Sequence, residues 1–97
     1  MTRYLVLIAM LAASPALADA ENGRRLAAAH CAACHAITPQ ARSEVADAPP
    51  FDAIGRKFGF DSAAISLAIS GPHQKMNFSP ARRDAVDLAA YIAGLDR

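Results

Sequence analysis

The residues best suited to chemistry in this 97-residue chain lie together in Cys31-Ala32-Ala33-Cys34-His35. Two cysteines separated by two residues, with a histidine directly after, read as a c-type haem attachment site. Two thioethers to the haem vinyl groups hold the macrocycle against one turn of chain. The next residue then offers its imidazole to the iron as proximal ligand. These are the only two cysteines present, so no sulfur remains for a further disulfide or a four-cysteine metal site. A thioredoxin-type pair shares the spacing but belongs near a βαβ pattern, and no such strand run occurs. Zinc would need two more ligands from His30, His73 or carboxylates, and no second knuckle-like cluster exists. A Cys31–Cys34 disulfide would close too small a loop to stabilise much. None of these readings accounts for the histidine after Cys34.

The elements around the motif begin with an export leader. Arg3 supplies a positive start, residues 4–13 are an unbroken apolar run, and Pro15 precedes small residues suited to cleavage. Ala16-Leu17-Ala18 fits the small-x-small rule, giving a signal peptide over 1–18 and a domain over 19–97. Cleavage after Ala20 fits nearly as well and would leave Glu21 first. A bilayer-spanning helix needs ~20 apolar residues, about twice this run, so no membrane span is expected in the mature protein. Ten Lys and Arg stand against nine Asp and Glu, and Arg3 lies in the leader, so the mature chain is near neutral. Nothing there forms a basic field for nucleic acid or acidic lipid.

Within 19–97 the pattern is helical throughout. Residues 21–33 hold Arg24, Arg25, Leu26 and a run of alanines, all good helix formers. Glu21 suits the positive end of the helix dipole. Gly23 is unfavourable inside a helix unless another backbone approaches there, or unless it lies in a frayed first turn. Residues 36–50 are a polar loop ending in Pro49-Pro50, through which no helix continues. A short helix follows with Phe51, Ile54 and Phe58 facing inward, stopped at Gly59. Asp61 or Ser62 caps the next, whose stripe is Ile65, Ala68 and Ile69, ending at Gly71-Pro72. Ser79-Pro80 reads as the start of the last helix, with Leu88, Tyr91, Ile92 and Leu95 inward. The expected fold class is all-α, about four helices around one covalently attached haem.

With these elements placed, residues 21–95 resemble the class I cytochromes c, small monohaem proteins of bacterial periplasms. Cys31, Cys34 and His35 match that family's attachment motif. Met76, in a loop after a helix and before a Ser-Pro helix start, matches its distal-ligand position. Gly23 matches the glycine eight residues before the first cysteine, and Leu88 and Tyr91 match its partners in Asp-Leu-x-x-Tyr. The resemblance implies close crossing of the first and last helices at Gly23. It implies haem c as cofactor, with His35 and Met76 as axial iron ligands. It also implies that the Pro49 carbonyl takes the His35 Nδ1–H bond, with Pro50 as alternative. Such bonds fix the tautomer and raise ligand basicity.

The chain departs from the pattern at Ala27, where the family often has an aromatic, and at Asn77, where proline is common after the methionine. His73 is a rival ligand, although Met76 is the only thioether outside the leader, in a hydrophilic loop odd for a core methionine. Met/His ligation raises the reduction potential relative to a second nitrogen ligand and leaves no open position. The implied function is therefore electron transfer rather than enzymatic chemistry. The carrier is expected to be a periplasmic monomer serving periplasmic or membrane-bound redox proteins. The alternatives are a dedicated electron-accepting subunit of a dehydrogenase or reductase complex, or a haem sensor or peroxidase-like protein with an open sixth site.

Overall fold

A computed structural model describes residues 18–73 and 78–96 of the chain. The expected leader, apart from Ala18, and Met76 lie outside the described residues. Helix α1 spans Ala20–His30, α2 Phe51–Lys57, α3 Ser62–Ser70 and α4 Arg82–Ala93, with no strand among the described residues. The all-α expectation holds.

Helix α1 is entered through Asp19, whose extended backbone and side chain cap the helix by accepting from Asn22 N. Its carbonyl takes the first helical bond, from Gly23 N, at 2.9 Å. The helix ends at His30, three residues earlier than its composition implies. There the Ala27 carbonyl takes both the Cys31 and the Ala32 N–H, each at 2.9 Å. With that acceptor shared, the ladder stops and the Cys31–His35 stretch is carried on turns. Gly23 faces backbone. A Cβ built there would lie 2.0 Å from the Asp87 carbonyl oxygen and 2.6 Å from its carbon. The frayed-turn alternative is thereby excluded, because α1 packs on α4 at this glycine. Ala27, one turn on, is fully buried and fills the place an aromatic often takes.

The stop of α2 is a Schellman motif. Phe60 N donates to Gly55 O at 2.7 Å and Gly59 N to Arg56 O at 3.1 Å. Gly59 takes the left-handed conformation this turn demands, with φ 61°. Asp61, rather than Ser62, caps α3, accepting from Ala63 N and Ala64 N. Helix α4 begins at Arg82 behind Ala81, with no side-chain cap, two residues after the Ser-Pro start implied by sequence. Its first bond runs from Ala85 N to Ala81 O, and Ser79 and Pro80 stay in the entering chain.

Helix α4 is the floor of the molecule, with α1, α3 and, less extensively, α2 packed on it. The buried apolar residues among those described are Ala27, Ala36, Phe51, Ile65, Ala85, Leu88, Ala89 and Ile92. Four of these eight are alanines, so the large core side chains are few. Tyr91 extends the floor outward, donating its hydroxyl to Ile37 O at 2.7 Å and fastening α4 to the chain after the attachment motif. No helix among the described residues is long and apolar enough to cross a membrane.

Candidate cofactor site

The end of α1 delivers Cys31, Cys34 and His35 to one wall of a cleft of about 460 Å³, within the ~300–1,000 Å³ of most ligand and cofactor sites. Local bonds set this wall. His35 N donates to Cys31 O at 2.9 Å and Val45 N to Cys34 O at 3.3 Å. The buried Ala36 is held on both sides, donating its N–H to Ser43 Oγ at 3.1 Å and accepting from Phe51 N at 2.8 Å. The polar loop of 36–50 thus folds back over the motif and starts α2 against it.

His35 is oriented by that loop. Its Nδ1 lies 2.6 Å from Pro49 O. A carbonyl only accepts, so Nδ1 carries a proton, and in the neutral imidazole the lone pair then lies on Nε2. Pro50 O is engaged elsewhere, accepting from Ile54 N at 3.0 Å. The imidazole packs at 49° to the Phe51 ring, with centroids 5.5 Å apart. His73, from the chain after α3, sits edge-on to it at 5.9 Å.

Across the cleft the lining is apolar: Phe51, Ile54, Phe58, Ile65, Leu88 and Ile92 all contribute. Ala68 and Ile69 of α3 also face it, which explains why Ala68 is exposed although it belongs to the expected inward stripe. Pro72, His73 and Pro80, on either side of Met76 in sequence, line the same cleft. Lys57 borders it, with Nζ 5.6 Å from the Phe58 ring centroid.

The donor set fits a covalently held haem. Two free thiols and an imidazole whose Nδ1 is engaged by Pro49 O share one wall, and apolar side chains form the rest. Burial pushes the Cys31 thiol above its ordinary pKa, which argues against an activated thiol at that position. Reactive thiols have theirs lowered.

Two features escape the sequence reading. His30, named from sequence only as a possible zinc ligand, borders the cleft and stacks on Phe78 with ring centroids 3.8 Å apart and planes 4° from parallel. No periodicity links a helix end to a ring forty-eight positions on. Asp87 is only 4 % exposed on α4. Its position inside Asp-Leu-x-x-Tyr was the available signal.

No family model matches the chain, and no solved structure matches it. It is 39% identical over 93 residues to cytochrome c-552 of Bradyrhizobium diazoefficiens, an alignment covering 94% of this chain and 89% of that protein.

Proposed function

We propose, since this chain belongs to the small c-type cytochromes, that it carries single electrons between redox proteins on one covalently bound haem c. The observation that carries the reading is His35, held by Pro49 O at 2.6 Å beside two free thiols at an apolar cleft. Haem supplies a one-electron ferric/ferrous couple when bound. Cys31 and Cys34 would hold it through thioethers, and His35 Nε2 and the Met76 thioether would ligate its iron. The Pro49 bond fixes the imidazole tautomer and raises its basicity. Phe51, Ile65, Leu88 and Ile92 line the cleft and would keep water from a haem held there, which would raise its potential and limit side reactions.

The leader over residues 1–18 places this chemistry in the periplasm, where a mature carrier meets periplasmic or membrane-bound donors and acceptors. Encounters of this kind bury little area and release quickly. Among the described residues the exposed large hydrophobics are Leu67 on α3 and Val86 on α4. Two such residues on separate helices favour a diffusible carrier over a permanent complex subunit.

The test is the absorption spectrum of the purified protein, oxidised and reduced, including the weak near-infrared band of a ferric iron–methionine bond. Its presence in the native protein and loss in Met76→Ala are expected. A haem spectrum lacking that band would remove Met76 from the iron and favour His73 or an open site. Absence of haem would return Cys31 and Cys34 to thiol chemistry and sink the carrier reading.

A further inference from the structure

The carboxylate of Asp87 lies buried where α1 meets α4, 4 % exposed. Its Oδ2 accepts from Asn22 Nδ2 at 2.8 Å, and its Oδ1 accepts from the backbone N of Asp19 at 2.8 Å. No side-chain cation among the described residues lies within ion-pair distance of it. A nearly buried carboxylate served only by neutral donors is uncommon, because desolvation disfavours its charge.

We propose that the leader is removed between Ala18 and Asp19, and that the α-ammonium so created at Asp19 is the charge partner of Asp87. Hydrolysis by an export peptidase consumes one water, leaving a carboxylate on Ala18 of the leader and an ammonium on Asp19. The inference rests on the exported-cytochrome reading above and selects between two cleavage points that the small-residue pattern permits nearly equally.

The geometry separates them. Scission before Asp19 converts the nitrogen already 2.8 Å from Asp87 into a cation and leaves every other contact in place. It retains the Asp19 side chain as the cap over Asn22 N and the Asp19 carbonyl as acceptor for Gly23 N. Scission after Ala20 removes that cap, the first helical bond and one of the two donors to Asp87. Ala18, Asp19 and Ala20 are all exposed, so nothing in the fold obstructs a terminus at Asp19. Electrostatics give Asp87 a reason to be there. An α-ammonium one residue ahead of a helix faces the positive end of the helix dipole, and a carboxylate from the crossing helix offsets that repulsion. Burial pushes the Asp87 carboxyl up, but the bonds from Asn22 and Asp19, with the charge of Arg83, outweigh it and hold it below its ordinary value.

Intact-mass measurement and N-terminal sequencing of the holoprotein, purified after export, test the cleavage. A chain beginning at Asp19 and carrying haem is expected. A haem-bearing chain beginning at Glu21, or retaining the leader, overturns the proposal while leaving the cytochrome reading intact, whereas a chain without haem defeats that reading instead. Titration of the isotopically methylated α-amine by NMR tests the pair in the native protein. It should titrate at least about one pH unit above the ordinary α-amine range of ~7.7–8.0, and Asp87→Asn should return it there. An ordinary value in the unsubstituted protein overturns the pairing, whether or not Asp87→Asn folds.

Discussion

At the scale of single residues, the site depends on a few backbone groups being spoken for. His35 is aimed through a carbonyl that mutation cannot delete, so the loop presenting Pro49 is the accessible lever. Ser43 holds that loop to the motif, accepting from the N–H of Ala36, which is 1 % exposed. Ser43→Ala leaves this buried donor unmet and should destabilise the holoprotein by about 1–3 kcal/mol, read as a lowered denaturant midpoint at unchanged slope. The attachment motif was legible because covalent chemistry dictates its residue types and spacing. Ser43 was not, since a serine in a polar loop carries no mark of which N–H it will meet. The His30–Phe78 stack was hidden for a similar reason: two rings distant in sequence meet only once the helices are packed.

At the scale of elements, the crossing of α1 and α4 fixes the geometry on which the site is built. Gly23→Ala would push a methyl into the Asp87 backbone, an atom that cannot rotate away. The expected loss is about 1–3 kcal/mol from overpacking, measured by chemical denaturation of the haem-loaded protein. Asp87 makes the same crossing sensitive to acid. Its folded pKa lies below the unfolded 3.8, so its contribution is complete above pH 3.8 and disappears as pH falls through the folded value. Acid titration of native and Asp87→Asn proteins should therefore give stabilities that differ near neutrality and converge below that pH. The helices themselves were readable from apolar spacing and from caps such as Asp61. The start of α4 was misplaced because Ser79-Pro80 carries a strong local cap signature. Phe78 is stacked on His30 and Pro80 lines the cleft, so tertiary contacts claim this stretch before the helix can.

At the scale of the whole molecule, the cleft lies where a larger protein would place its core. Phe51, Ile65, Leu88 and Ile92 are the large residues among the buried apolar ones described. A domain this small gains little from a core of that size. Without haem the same side chains would line an apolar hollow open to water. A Cys31→Ser, Cys34→Ser double variant, unable to attach haem, is expected to lose cooperative unfolding and fixed tertiary packing. Near-ultraviolet circular dichroism and the breadth of the thermal transition would register this, and a sharp native-like melt would contradict it. The need for a large apolar partner could be inferred from chain length and the motif together. The share of the core left to alanine could not, because it follows from how closely the helices approach.

That close approach bears on the order in which the molecule forms. The buried residues of α1 are Gly23 and Ala27, and α4 sets Ala85 and Ala89 among its own. Glycine and alanine have no rotamers to surrender, so at these positions joining the surfaces gives up backbone freedom and no side-chain entropy. Helices α1 and α4 are therefore the pair able to associate before haem arrives, holding the ends of the chain together while the middle waits for it. Hydrogen exchange on the double-serine variant should find residual amide protection in those two helices and none in α2 or α3.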